Sequence, residues 1–115
     1  MTRDEIQALP TGPKLDRLIS ERVMGMHLKQ DELHIIQTEH GNHMAAWSTS
    51  GDALLVVEKL QKRGYKISLT VSPDGATCAV NRWAANHWHL GGHASDQTIP
   101  HAICLAALLA VENGK

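Results

Sequence analysis

The stretch that decides the fold is YKISLTVSPDGATCAVNRWA, at residues 65–84. Apolar and polar side chains alternate over residues 65–71, which is the period of a half-buried β-strand. The sequence SPDG at residues 72–75 is typical of a turn, because proline presets the first corner and glycine takes a positive φ. Residues 77–84 return as a second strand, so the stretch predicts an antiparallel hairpin.

Apolar residues recur at spacings of three and four on both sides of this hairpin, which predicts amphipathic helices. A short helix is expected over residues 2–9, and a second from Pro13, which fits a first helical turn, to a stop at Gly25. A third, capped by a hydroxyl or carboxylate, is expected over residues 51–63. Residues 98–112 predict a fourth, which is apolar around much of its circumference and should be buried.

Two further segments have extended character. Residues 33–38 predict a short edge strand, followed by a polar loop at residues 39–43. Residues 86–90 are expected to form a short third strand, or the ragged end of the second, which the glycine pair 91–92 breaks. The resulting order of elements predicts a single α+β domain over residues 1–115, with a small antiparallel β-sheet sandwiched or covered by α-helices.

The composition excludes several classes of protein. The 115 residues have a formal net charge of −1, which argues against a module that binds duplex nucleic acid. The longest apolar run, residues 102–111, is too short to span a bilayer, and the start of the chain has no apolar signal core. Two cysteines are too few for a disulfide framework. We therefore expect a cytoplasmic protein that does not act at a membrane.

Three blocks of the chain, taken in order, resemble one known family. They are MTRDEIQALPTGPKLDRLISERVMG at residues 1–25, WSTSGDALLVVEKLQKRGYKISLTV at 47–71 and TIPHAICLAALLAVENG at 98–114. Together they are similar to the phage ABA sandwich domain proteins, which phages and prophages encode. The resemblance implies a sandwich of helices around a sheet and a bacterial host cytoplasm, but no catalytic motif. The histidine-rich residues 31–47 and 83–95 depart from it, and no site residue is carried over.

The stretch NHWHLGGH at residues 86–93 is the sharpest local feature. His87 and His89 lie two positions apart, so on a strand they share one face. His93 follows the glycine pair and can fold back toward them, with Asp96 as a further ligand. Three imidazoles can bind zinc or nickel and leave a position for water or substrate, as a metal-dependent hydrolase requires. The alternative is a polar strand end with exposed histidines.

A second candidate site combines aromatic, basic and imidazole side chains. Its members are Arg82, Trp83, His87, Trp88 and His89. The indole rings can stack on a base or a nicotinamide-like ring while Arg82 holds a phosphate, which predicts a site for a small nucleotide. The alternative is that both tryptophans cover the sheet as apolar side chains and fill the core of a chain that has no phenylalanine.

Three other residues have candidate roles that the sequence makes less specific. Cys78 can pair with a histidine in space as a nucleophile. Cysteine is commonly a small buried apolar residue, and we expect that role for Cys78 and Cys104. His101 opens the last helix, where the dipole disfavours a cation, so a neutral capping or packing role is expected.

These observations favour a non-enzymatic phage accessory protein that binds a small molecule or a host protein. Small phage proteins often act by occupying something that the host needs, and sequestration of a nucleotide signal of bacterial immunity is the concrete version. One alternative is the metal-dependent hydrolase built on the three histidines. Another is an interaction module that works as a homo-oligomer, since the hairpin leaves a strand edge that can pair with a second copy. No organic cofactor is expected.

Overall fold

The computed structural model describes the backbone of residues 2–25, 35–38, 41–44 and 46–113. Within these residues, four α-helices and five strands alternate in the manner of an α+β protein, as predicted. Their order is α1 (Arg3–Gln7), α2 (Pro13–Leu18), a π-helical turn (Ile19–Val23), β1 (Ile35–Thr38), β2 (Gly41–Met44), α3 (Ala53–Lys62), β3 (Tyr65–Ser72), β4 (Gly75–Ala84), β5 (His87–Asp96) and α4 (Ile99–Asn113).

The central sheet is antiparallel, in the order β3-β4-β5, and β1 pairs with β2 in a separate hairpin. The predicted β3–β4 hairpin is confirmed, with Ser72 opposite Gly75 at the turn. The prediction that a glycine pair ends the third strand is wrong, because β5 continues through it to Asp96. Gly91 is an extra residue between the pairs made by Gly92 and Leu90, so it forms a β-bulge rather than a break.

Close packing of α4 on β5 explains why glycines stand in this strand. A Cβ atom added at Gly92 would collide with the carbonyl oxygen of Ala106 and lie 2.7 Å from the amide nitrogen of Ala110. The facing residues of α4 are themselves small, so helix and strand backbones approach closely. The glycine pair therefore permits close packing of β5 on α4. The sequence pattern, in which glycines indicate the end of a strand, does not show this role.

The helix α4 lies at the centre of the molecule, as its apolar sequence predicts. All residues from 102 to 111 are buried, and α4 contacts α1, α3, the π-helical turn, β4 and β5. Trp47 is completely buried beside these helices, and its indole nitrogen donates a hydrogen bond of 2.8 Å to Ser20 Oγ. Trp47 is thus the tryptophan that fills the core. Among the described helices, none is long and apolar enough to cross a membrane.

The helices cover one face of the three-stranded sheet, which we call the inner face. Its central positions are buried: Ala76, Cys78, Val80, Gly92 and Ala94. The strand register places a different set of side chains on the opposite, outer face. Exposed members of this outer face are Lys66, Trp83, Trp88, Leu90 and His93. The described helices therefore form one layer against the sheet.

The segments outside the central hairpin follow the predictions in part. The predicted edge strand is confirmed over Ile35–Thr38, but residues 41–44 form β2 instead of a polar loop. The remaining loop residues, 39 and 40, lie outside the described residues. The predicted second helix is continuous from Pro13 to Val23, with its last turn in the wider π form.

The predicted hydroxyl acceptor before α3 is present, because Ser50 Oγ accepts a hydrogen bond of 3.2 Å from the Asp52 amide, but the helix begins later than predicted, at Ala53, and its own N-cap residue makes no side-chain cap. Asp52 precedes the helix without a capping hydrogen bond, and its Oδ2 atom accepts from the Ala46 amide at 3.0 Å. Ser48 donates through its hydroxyl to Asp16 Oδ1 at 2.7 Å and accepts from the Gly12 amide at 3.1 Å. These hydrogen bonds join the loop before α3 to α2, so the polar residues tie two helices together.

Candidate functional site

Two exposed tryptophans mark the end of the sheet at the β4–β5 turn. Trp83 and Trp88 are opposite each other in the register, with ring centroids 5.3 Å apart and ring planes at 72°. Their residues are 56% and 42% exposed, so neither fills the core. An edge-to-face pair holds each ring in place, while a large part of each ring stays open to solvent.

A cleft of about 360 Å³ opens beside Trp83, and we call it the basic cleft. Its lining residues are Arg63, Gly64, Tyr65, Arg82 and Trp83. The turn after α3 supplies the first two, and the β3–β4 register places Tyr65 directly opposite Arg82. The lining therefore includes two arginines and two aromatic residues, with Tyr65 and Arg82 on the inner face of the sheet and Trp83 on the outer face.

Two aromatic rings at this end of the sheet, Tyr65 in the cleft and Trp88 on the outer face, each have a neighbouring cation. The guanidinium carbon of Arg63 lies 5.9 Å from the Tyr65 ring centroid, and Arg63 Nη1 donates to the Val23 carbonyl at 3.2 Å. On the outer face, Lys66 Nζ lies 5.7 Å from the Trp88 ring centroid. Such cation–π contacts hold the long side chains in place without neutralising their charge.

The sequence around the cleft contains no carboxylate. Residues 59–73 and 75–95 include no Asp or Glu, although they hold five lysines and arginines. Among the residues that the structure describes, Arg63, Lys66 and Arg82 form no salt bridge. Unneutralised guanidinium groups beside apolar walls favour anions, because a planar guanidinium can hold phosphate or carboxylate through two hydrogen bonds.

The histidines of β5 divide between the two faces of the sheet. His87 and His89 share the inner side, as predicted, with ring centroids 4.0 Å apart. His93 pairs with Ala79 and lies on the outer face. Since His93 is on the other side of the sheet, the three imidazoles do not come together in this arrangement. Within the described residues, no group of three His, Cys, Asp or Glu side chains is arranged to hold a metal.

Asp96, considered from sequence as a further metal ligand, is bound within the fold instead. Its Oδ2 atom lies 2.8 Å from His101 Nδ1, and its Oδ1 atom accepts from the Thr98 amide at 3.2 Å. Partial burial acts to raise its pKa, but the amide of Thr98 and the His101 ring together bring the pKa of Asp96 below its ordinary value. The carboxylate thus joins β5 to the start of α4.

His101 bridges two parts of the chain across α4. Its Nε2 atom lies 2.8 Å from the Leu9 carbonyl oxygen, and its Nδ1 atom faces Asp96. Both partners are hydrogen-bond acceptors, so both ring nitrogens have contacts within the fold. The packing role expected for His101 is therefore present.

Both cysteines lie in the core and are free. Burial raises the pKa of the Cys78 thiol to about 11, and burial chiefly raises the pKa of the Cys104 thiol as well. A nucleophilic cysteine needs the thiolate form near neutral pH, and these environments disfavour it. The role of small buried apolar residues is therefore confirmed for Cys78 and Cys104.

The turn between β4 and β5 has an unusual backbone. Ala85 and Asn86 have φ values of 52° and 67°, and both are non-glycine residues in the left-handed region. Two such residues in succession are typical of a type I′ turn, which matches the twist of a hairpin. Asparagine tolerates this conformation, whereas alanine is strained by its Cβ atom. The turn brings β5 back beside β4 and so places Trp88 against Trp83.

Sequence reasoning proposed Arg82 and Trp83 but missed the wall of the cleft that residues 63–65 supply. Two signals were present in the sequence. One is the run without carboxylates over residues 59–73. The other is the SPDG turn, which fixes the hairpin register and thereby places Tyr65 opposite Arg82. Pairing the strands residue by residue would have joined the two parts of the site.

The fold and this end of the sheet define a small α+β protein with helices on one face of an antiparallel sheet. The chain matches the Phage ABA sandwich domain over residues 17–108, and it belongs to that family. The family resemblance inferred from the three sequence blocks is thus confirmed.

A solved structure supports the same fold. The crystal structure of a phage protein from Bacillus cereus ATCC 14579 superposes with a TM-score of 0.63 and 23% sequence identity. The alignment covers 91% of this chain and 97% of that chain. Comparison with curated proteins gave no significant match.

Proposed function

We propose that this phage protein binds a small anionic molecule with an aromatic ring, of the nucleotide class, and acts by sequestering it. The basic cleft is the observation that carries this proposal. Arg63 and Arg82 provide charge for a phosphate, and either Tyr65 on the inner face or Trp83 on the outer face provides a flat surface for a base. The site at Arg82, Trp83 and Trp88 retains the ligand-binding residues expected from sequence and adds the wall from β3.

The size and chemistry of the cleft suit retention of a ligand. Its volume of about 360 Å³ falls within the range of roughly 300–1,000 Å³ typical of small-molecule sites. Stacking of a base on an aromatic side chain contributes about 1–3 kcal/mol and tolerates different bases. Guanidinium and aromatic groups are binding groups, so the lining favours holding a molecule over converting it. A small protein that holds a host nucleotide would lower its free concentration.

The inner-side histidines lie next to this cleft. His89 is opposite Arg82 in the β4–β5 register, and His87 is opposite Ala84. Their exposed rings extend the polar surface around Arg82, so a ligand larger than a mononucleotide has further hydrogen-bonding groups within reach. This placement supports the inclusion of His87 and His89 in the candidate ligand site.

Titration with nucleotides tests the proposal. Tag-free protein is mixed with a panel of mono-, di-, cyclic and adenosine-diphosphate-ribose-type nucleotides while tryptophan fluorescence is followed. We expect saturable quenching by at least one of these ligands, and Arg82→Ala or Trp83→Ala should weaken it by roughly tenfold or more.

Two variants provide matched controls for that titration. Arg3→Ala removes an exposed arginine from α1, and Leu54→Ala removes an apolar residue of α3 that is 60% exposed. Both should bind as the unmodified protein does. The proposal is wrong if no member of the panel quenches saturably, or if the Arg82 and Trp83 variants bind as tightly as these controls.

The outer face supports a second candidate, an interaction module that works as a homo-oligomer or on a host protein. Leu90 is 59% exposed and lies on the same face as Trp83 and Trp88, giving an apolar patch at one end of the sheet. Sedimentation velocity of the unmodified chain and of Leu90→Lys tests self-association. A mass above one chain that falls to one chain in the variant supports an oligomer; monomers in both contradict it.

A further inference from the structure

His87 and His89 are brought closer together than a regular strand requires. Residues two apart on a strand are separated by about 6.6 Å, from a rise of roughly 3.3 Å per residue. The two imidazole centroids are 4.0 Å apart, with their planes tilted by 40°. The rings therefore converge on a shared volume of space on the inner side of β5, beyond the strand positions that α4 covers.

Backbone carbonyl groups fix the tautomer of each ring. His87 Nδ1 lies 3.1 Å from the Ala85 carbonyl oxygen, and His89 Nε2 lies 3.0 Å from the Ala84 carbonyl oxygen. Because a carbonyl oxygen only accepts, each of these nitrogens carries the hydrogen. In the neutral tautomers that these contacts select, the lone pair is on Nε2 of His87 and on Nδ1 of His89.

This arrangement is the one that metal-binding histidines adopt. A histidine ligand usually donates its other ring N–H to a carbonyl or carboxylate, which orients the ring and increases its basicity. The strained Ala85–Asn86 turn supplies the carbonyl for His87, so the backbone conformation contributes directly to the geometry of the pair. Two oriented imidazoles on a short hairpin form a chelate with little loss of side-chain freedom.

We propose that His87 and His89 bind one divalent transition-metal ion, of the zinc or nickel kind, with water in the remaining positions. Imidazole nitrogen is a favoured ligand for these ions. At a Zn–N distance of about 2.0 Å, two imidazoles on a tetrahedral ion have centroids roughly 5 Å apart. The present centroids are 4.0 Å apart, so the two rings must separate slightly to bind the ion. The site is built from two protein ligands, and His93 takes no part in it.

Arg82 gives the site a characteristic electrostatic signature. Its register position is opposite His89, and a guanidinium in that place opposes the approach of a second cation. Removal of the charge by Arg82→Ala should therefore strengthen metal binding. The same substitution weakens nucleotide binding under the function proposed above. The two sites thus respond to one variant in opposite directions, and failure of one proposal leaves the other testable.

The experiment uses the full chain, freed of metal with a chelator and then titrated with zinc chloride by calorimetry in a non-coordinating buffer. We expect one zinc ion whose binding is lost or weakened at least tenfold in His87→Ala and in His89→Ala. His93→Ala is the matched control, because it removes a histidine from the same strand but from the opposite face. It should bind zinc as the unmodified chain does.

A spectroscopic measurement counts the ligands directly. With one equivalent of Cu²⁺, the electron paramagnetic resonance spectrum should show splitting from two imidazole nitrogens, which both His87→Ala and His89→Ala reduce. Circular dichroism verifies that the variants are folded. The proposal is overturned if the unmodified chain binds no zinc at about 100 μM, or if the His87 and His89 variants retain full binding. Equal loss in His93→Ala also overturns it, since three histidines would then act together.

Discussion

The strand β5 has two halves that differ in almost every respect, and the bulge at Gly91 separates them. The half from Gly92 to Asp96 lies against α4 and contains small residues at its buried positions. The half from His87 to Leu90 extends past the helix layer and displays large aromatic and imidazole side chains. One strand of ten residues therefore has a half that packs against α4, which we call the packing half, and a half that carries residues of the proposed ligand site, which we call the recognition half.

The difference shows how one hairpin meets two demands. Close packing of a helix on a sheet requires small residues where the backbones meet, and it leaves no space for side-chain chemistry. Beyond the end of the helix, the same strands lose that constraint, and their side chains can be large. The bulge lets the strand continue through both regions while Trp88 remains paired with Trp83 on the outer face.

The packing half should be the more sensitive to substitution. Gly92→Ala introduces a Cβ atom into the backbone of α4, and overpacking of this kind is expected to lower the free energy of unfolding by about 3 kcal/mol. Gly51→Ala is the control, since a Cβ atom at that exposed position meets no atom within 4 Å. Urea unfolding of both variants measures the difference. A Gly92 variant as stable as the Gly51 variant would contradict the close contact.

The turn that begins the recognition half should gain stability when its strain is relieved. Ala85→Asn places a residue that tolerates positive φ at the first position of the type I′ turn. We expect the free energy of unfolding to rise by about 1 kcal/mol. Thermal unfolding followed by circular dichroism checks it, and a lower midpoint than that of the unmodified chain would show that the alanine is not strained there.

The stability that Asp96 contributes at the far end of the packing half should depend on pH. The folded-state pKa of Asp96 lies below its ordinary value of 3.8, so its charged form stabilises the fold above that value, and this contribution is lost as the pH falls through the folded-state pKa. Asp96→Asn should therefore be less stable than the unmodified chain at pH 6, by about 1 kcal/mol, and the gap should narrow at pH 3. Urea unfolding at both values measures it; a gap that widens in acid contradicts the assigned contacts.

The recognition half should tolerate loss of a large side chain with the smallest effect on folding. Trp88→Ala removes an exposed ring, and we expect a change below about 0.5 kcal/mol in the free energy of unfolding. Its affinity for a nucleotide should fall about fivefold, because Trp83 loses its edge-to-face partner. Paired unfolding and fluorescence titrations separate the two effects. If Trp88→Ala lowers the free energy of unfolding as much as Gly92→Ala does, the proposed difference between the two halves of β5 is wrong.

The sequence predicted the hairpin and α4 well because periodicity alone determines them. Alternation from Tyr65 to Val71 and the SPDG turn specified the register, and an almost wholly apolar segment required a buried helix. The second half of β5 was missed because glycine is depleted in strands generally. Glycine is needed at position 92 because the strand packs closely against Ala106 of α4, and such a tertiary contact cannot be predicted from the local sequence.

The candidate site was predicted to a similar extent. Arg82, Trp83 and Trp88 were proposed because they lie close together along the chain, and the shared face of His87 and His89 followed from the strand period. The wall at Tyr65 depends on pairing between strands, which composition does not show. The separation of His93 from the other histidines depends on strand continuity through Gly91, so one wrong break in a strand changed which imidazoles were expected to meet.

Under the proposed function, the protein binds its ligand at the exposed end of the β4–β5 hairpin. The three tryptophans allow one direct test, because each indole N–H gives a separate signal in a two-dimensional ¹H–¹⁵N spectrum. On addition of a nucleotide that binds, we expect the indole signals of Trp83 and Trp88 to shift and the signal of Trp47, in the core, to stay unchanged. A shift of the Trp47 signal alone, or no shift of the Trp83 and Trp88 signals, would contradict binding at this end of the hairpin.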